Sequence, residues 1–220
     1  MSEYVIRNAE VKDIPFLSTA IIAAEKGRSD KMSFATLFNL SEEEAKNCII
    51  KMLEEEVDGC ELSVSSFLVA DYEGEPVAAF GAWIECFEGN LPSKILKSNL
   101  ILHTFSQESV AFFKTKLHII KDIILEREPM TLQLEYIYIA DKHIGKGLDS
   151  AFIIKSEENA LRAFPGLKKV QGQLYKNNIF AVIALRKKNF NIAVNSFSDH
   201  PEILNYLPYN QKLLMEKTIQ

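Results

Sequence analysis

The chain has 220 residues, 47% of them hydrophobic and 25% charged, enough to bury one core of ordinary size and unlike a fibrous or disordered chain. A formal net charge of −5 gives no general attraction to nucleic acid or to an anionic membrane surface. No apolar run approaches the ~20 residues of a membrane span.

The opening MSEYVIRNAEVKD carries charges too early for a signal peptide, so a cytoplasmic location is expected. Cys48, Cys60 and Cys86 are odd in number and show no CxxC spacing, which predicts free thiols and not a disulfide framework. His103, His118, His143 and His200 show no ligand spacing, and no metal is expected.

In chain order, residues 4–9 alternate like a short strand, and the run from 11 carries apolar residues at helical spacing as far as Gly27. A second helix is predicted over 41–57, where Ser41 and a glutamate three places on form a capping-box pattern. Residues 65–87 read as a hairpin turning at EGEP, with Gly74 as the permissive turn residue. Between 90 and 130 the pattern changes to amphipathic helices, one capped by Ser106 and carrying Val110, Phe113, Leu117 and Ile120 on one face. These helices are expected over the acceptor side of the sheet, where they shape a cleft or a dimer contact. The strand-like LQLEYIYIA (132–140) leads through two glycines around a lysine, Gly145, Lys146 and Gly147, into a helix closed by Pro165 and Gly166. A strand to Tyr175, a helix over 177–189 and strands at 190–197 and 211–219 follow. One domain, residues 1–220, is expected, with residues 90–130 as an insertion.

That order, and above all the stretch EYIYIADKHIGKGLDSAF (135–152), resembles the GCN5-related N-acetyltransferase (GNAT) superfamily. A second match is NIFAVIALRKKNF, where Asn178, Ala181 and Phe190 take the spacing of a family pattern. The resemblance implies an α/β (α+β) fold with a mixed, largely antiparallel sheet of about seven strands flanked by helices, the helical insertion falling between the third and fourth strands. It also implies acetyl-CoA as acyl donor and an amine acceptor, a small molecule or a peptide, with no nucleic acid or membrane partner and a homodimer left open. In that pattern Ile137 and Ile139 pair with the pantetheine arm, and the amides from Gly145 to Leu148 point at the pyrophosphate, with Lys146 and Asn178 beside the cofactor.

Glu135 is the candidate proton acceptor, read as alternating in step with Ile137 and Ile139; a paired structural carboxylate is the other reading. Tyr175 is the phenol that could replace the family's tyrosine, because Leu185 stands in that place. Ile144 and Asp149 also depart from the family pattern of the turn. Two functions therefore stay open: an N-acyltransferase acting by direct attack, or a GNAT-like binding or regulatory module without catalysis.

Overall fold

The computed structural model describes residues 4–219. β1 (Val5–Asn8) is followed by α1 (Ile14–Lys26), α2 (Ser33–Phe38) and α3 (Glu42–Glu54). The hairpin of β2 (Phe67–Tyr72) and β3 (Glu75–Ile84) comes next, and α4 (Ser93–Thr104) and α5 (Gln107–Ile120) separate it from β4 (Leu132–Ile139). Then follow α6 (Leu148–Ala163), β5 (Lys169–Tyr175), α7 (Ile179–Arg186), β6 (Asn191–Phe197), the one-turn α8 (Ile203–Tyr206) and β7 (Gln211–Thr218). The seven strands form one sheet in the order β1-β2-β3-β4-β5-β7-β6, antiparallel except for β4 beside β5. The mixed, mostly antiparallel sheet with helices inserted between the third and fourth strands is the fold expected from the sequence.

Local chemistry sets the boundaries. Ser41 Oγ accepts from the Glu44 amide while Glu44 Oε2 accepts from the Ser41 amide, so the capping box closes α3 at its start. Ser106 Oγ accepts from the Ser109 amide and starts α5. At the hairpin, Glu73 and Gly74 both take positive φ, +54° and +86°, the twist that a two-residue turn needs to match its strands. α1 begins at Ile14, later than periodicity alone gives, with Pro15 in its first turn, where the missing N–H costs nothing. The short α2 and α8 lie inside stretches that the sequence pattern leaves without an element.

Two apolar cores sandwich the sheet. One packs α1, α2 and α3 with the insertion helices over the face that carries Phe67, Val69, Ala79 and Tyr136. The other packs α6 against Leu68, Ala78, Phe80, Leu132, Leu134 and Met215, with α7 lying along it through Val182 and Leu185. Of the insertion's apolar stripe, Val110 and Ile120 are buried and Phe113 stacks on Phe38 with ring centroids 4.6 Å apart, whereas Leu117 remains 41% exposed. The insertion thus covers the α1 face of the sheet through α2 and α3.

Candidate functional site

β4 and β5 run parallel but stay paired over only three positions, Leu132 with Val170, Gln133 with Gln171 and Leu134 with Gly172. Beyond them the strands part, β4 running on to Ile139 and β5 to Tyr175. The parting begins at an irregularity in β4. Tyr136 has φ of +54°, and the register with β3 slips between Ala79 and Gly81, so β4 carries a bulge there. Gly81 allows it: a β-carbon at this position would stand 3.0 Å from the Glu135 carbonyl oxygen.

The bulge changes the alternation expected from the sequence. Leu132 and Leu134 face the α6 side, and so do Ile137 and Ile139, whereas Tyr136 and Tyr138 face the α1 side. Glu135 bonds to partners on the α1 side and so shares a face with the tyrosines, not with Ile137 and Ile139. Alternation fails because a bulge adds one residue and shifts every later side chain to the other face.

Past Ile139 the chain reaches the glycine turn. Gly145 and Gly147 have φ of +78° and +80°, and a β-carbon on either would meet nothing within 4 Å, so the space above the turn is open. Gly147 is the N-cap of the 16-residue α6, and no side chain caps the amides that start this helix. An open glycine turn at the positive end of a long helix whose first amides carry no side-chain cap is a place where an anion is favoured. Lys146 is exposed beside it, Leu148 is buried beneath it, and Asp149 sits half-buried in the first turn. Across the gap, α7 has no buried residue; Ile179, Phe180 and Ile183 are 62%, 67% and 46% exposed. This turn, the parted strands and the apolar face of α7 together suit a long ligand with a phosphate end and an apolar arm.

On the other face of the parting lies a buried cluster of charges. Arg127 donates from Nε and Nη2 to Glu135 Oε1, at 3.0 and 2.7 Å, and its Nη1 stands 2.7 Å from Glu61 Oε2 as an ion pair not aligned for a hydrogen bond. Lys97 Nζ donates to Glu61 Oε1 at 2.6 Å, and the Tyr136 hydroxyl donates to the same oxygen at 3.1 Å. Arg127 also donates to Ser93 Oγ, which donates to Glu85, itself held by the Trp83 indole N–H. Burial alone would raise the Glu61 carboxyl, but Arg127 and Lys97 outweigh it and bring it down to about 2. Glu135 moves the other way: burial raises it, Arg127 opposes and Glu61 reinforces. Its Oε2 accepts no hydrogen bond from any described residue.

The other residues singled out in the sequence fall around this centre. Tyr175 ends β5 on the α1 face, with its ring against Tyr209 and 5.0 Å from Lys212 Nζ. Burial raises its phenol well above the ordinary value and Glu25 adds to this, which keeps it protonated. Leu185 on α7 is turned toward β5, its Cδ1 3.9 Å from where a Gly172 β-carbon would be. Asn178 caps α7, its Oδ1 accepting from the Ala181 amide at 3.3 Å. His143, next to the turn, is bonded to the Tyr4 hydroxyl at 2.9 Å.

Sequence reasoning passed over Glu61, Lys97, Arg127, Glu25 and Lys212. Nothing local marked Glu61, which stands among Asp58, Gly59, Ser63 and Ser65 in a stretch that reads as a polar connection. A cavity of about 680 Å³ between β1–β3 and the second half of α6 is lined by none of the candidate site residues. Among the described residues no group of three or more His, Cys, Asp or Glu is placed to hold a metal, and no helix is long and apolar enough to cross a membrane.

No family profile and no curated protein matches the sequence. The fold does match solved structures. An N-acetyltransferase from Staphylococcus aureus Mu50 aligns over 97% of this chain and 100% of its own, with a TM-score of 0.66 at 14% identity. An acetyltransferase of the GNAT family from Streptococcus pneumoniae aligns over 99% and 100%, with a TM-score of 0.53 at 19% identity. A ribosomal-protein-alanine N-acetyltransferase from Brucella melitensis aligns over 98% and 99%, at 0.53 and 16%. At these identities what is shared is the fold, and the fold is that of the GNAT acetyltransferases.

Proposed function

We propose that this chain, which has the GNAT fold, is an acyl-CoA-dependent N-acyltransferase that moves an acetyl group from acetyl-CoA to a primary amine by direct attack. The observation that carries the reading is the parting of β4 from β5 beyond Leu134 and Gly172, which runs to an uncapped glycine turn at the start of α6. The amides of Gly145 to Leu148 would hold the pyrophosphate, with Lys146 adding charge. Ile137 and Ile139 would offer backbone groups, and Asn178 would fix the start of α7 beside the cofactor.

Bound acetyl-CoA supplies a thioester whose C–S bond breaks as the amine nitrogen bonds to the acyl carbon. Glu135 would take the amine's proton at Oε2, the oxygen that Arg127 leaves free, and burial gives this carboxyl a proton affinity above the ordinary. Tyr175, protonated and at the end of β5, would return a proton to the sulfur. Holding the amine and the acyl carbon in one cleft contributes through proximity, and no covalent enzyme intermediate is required.

Titration with acetyl-CoA by calorimetry, with thermal shift alongside, tests this. Binding in the micromolar range supports the reading; no heat and no shift at millimolar acetyl-CoA rejects it. Leu185, apolar and turned toward β5, favours a second reading in which the chain binds CoA without turning it over. CoA binding without thiol release on any amine would select that one.

A further inference from the structure

Two charged side chains over the α1 face of the parting form no ion pair with any described residue. Lys212, on β7 directly opposite Tyr175, is half-buried and lies 5.0 Å from the Tyr175 ring centroid. It makes no hydrogen bond or ion pair with any described residue, unlike its neighbours Lys97, paired with Glu61, and Arg127, paired with Glu61 and Glu135. Glu25, in the last turn of α1, is also half-buried, and its side chain makes no hydrogen bond or ion pair with any described residue. It follows the buried Ser18 by seven residues and the buried Ile21 by four, so it lies on the face of α1 that packs over the sheet, and a β-carbon on Gly27 at the end of that helix would stand 3.4 Å from Tyr209 and 3.8 Å from Tyr175.

Opposite charges that share a half-buried cleft attract each other strongly, because water there screens them little. Glu25 and Lys212 nevertheless form no ion pair and stand more than 4.0 Å apart. Lys212 is locked in register on β7, and α1 ends at Gly27, whose carbonyl oxygen accepts from the Tyr209 hydroxyl at 2.9 Å. Burial lowers the Lys212 ammonium, with Glu25 and Glu135 opposing it. A carboxylate and an ammonium on one face of the site, not paired with each other, complement a molecule that carries both charges in the opposite sense.

We propose that the acceptor is a free amino acid, its carboxylate received by Lys212 and its ammonium by Glu25, beside Glu135. This rests on the acyl-transfer reading and narrows its acceptor from amines in general to amines that carry a carboxylate. Lys212 and Glu25 are specificity-determining residues here; the proton acceptor remains Glu135.

The test is equilibrium binding to the full chain, with and without CoA, of the twenty L-amino acids, their carboxamides and the matching decarboxylated amines. The expected result is an amino acid that binds about ten- to a hundredfold more tightly than its carboxamide and amine, the range of one charge-assisted hydrogen bond. Lys212→Met should bring the acid down to the carboxamide's affinity and leave CoA affinity unchanged. Glu25→Gln should weaken acid and carboxamide alike, since both carry the ammonium. The inference is overturned if no amino acid binds, if carboxamides bind as well as acids, or if Lys212→Met leaves their ratio unchanged. CoA binding without any amino-acid binding sinks the inference alone. Amino-acid binding with the Lys212 pattern but no CoA binding sinks the acyl-transfer reading and leaves the zwitterion site standing.

Discussion

Arg127 donates from two of its nitrogens to a single oxygen of Glu135, at 3.0 and 2.7 Å. Its third nitrogen lies 2.7 Å from Glu61, so one guanidinium compensates two carboxylates, Glu61 fully buried and Glu135 with 12% of its side chain exposed. Removing one partner of a buried ion pair costs about 3–5 kcal/mol, because the charge left behind cannot be resolvated. Arg127→Met should therefore lower the unfolding free energy by about 3 kcal/mol or more. Arg127→Lys should recover only part of this, since an ammonium lacks the planar fork that reaches both acids. Denaturant titration reads both variants; an unchanged midpoint for Arg127→Met would mean that the two carboxylates do not depend on it.

Glu135→Gln keeps the shape and an acceptor for Arg127 but cannot take a proton. On the proposed role of Glu135 as proton acceptor, turnover should drop by about 10²-fold or more, with acetyl-CoA affinity nearly unchanged. Equal turnover in the variant and the parent would assign Glu135 to the ion cluster alone.

Acid should separate the two carboxylates. Glu61 is held down at about 2, below its unfolded value of about 4.3, so its ionised form contributes stability that is complete above about pH 5 and is lost as pH falls toward 2. The contribution is about 3 kcal/mol at neutral pH. Glu135 has the opposite sign, since its raised carboxyl takes a proton earlier in the folded state and gains stability on acidification. The stability gap between the parent and Glu61→Gln should therefore narrow from pH 6 to pH 2, while the gap to Glu135→Gln moves the other way. Denaturant midpoints across that range check it, and parallel curves for both variants would refute it.

How far the sequence could be read depends on whether the information is local. The capping box at Ser41, the turn at Glu73 and Gly74, and the Gly145–Gly147 turn into α6 all use neighbours within a few residues, and the structure has them where the pattern places them. The faces of β4 were not legible. Alternation assumes a regular strand, and the bulge at Tyr136 puts a tyrosine into positive φ, which no residue type there announces. The charge cluster was hidden for another reason. Glu61 follows α3, Lys97 lies on α4 and Arg127 on the loop before β4, so the three meet only once the insertion has folded over the sheet. Lys212 and Glu25 are farther apart still, and each alone reads as an ordinary surface charge in its own segment. The acceptor proposal therefore turns on long-range packing, whereas the glycine turn could be found from a dozen residues.

That turn carries its own test, because the features that invite an anion sit beside one that opposes it. Gly145 and Gly147 leave open space over the uncapped start of α6, but Asp149 in the first turn places a carboxylate near the same amides. A carboxylate there gains about 0.3–1 kcal/mol from the helix macrodipole, so it competes for the field that a pyrophosphate would use. Two unit charges ~5 Å apart repel by ~3 kcal/mol at an effective dielectric of 20, and salt and Lys146 remove part of that. Asp149→Asn, which keeps the size and removes the charge, should therefore tighten CoA binding severalfold, and Lys146→Ala should weaken it. Both effects should shrink between about 0.01 and 1 M salt, as the screening length falls from about 30 to 3 Å. Calorimetry on the parent and both variants at the two salt concentrations measures this. Should Asp149→Asn weaken binding, the carboxylate is holding the turn's amides in place for the ligand, and the account of an anion site contested by Asp149 is wrong.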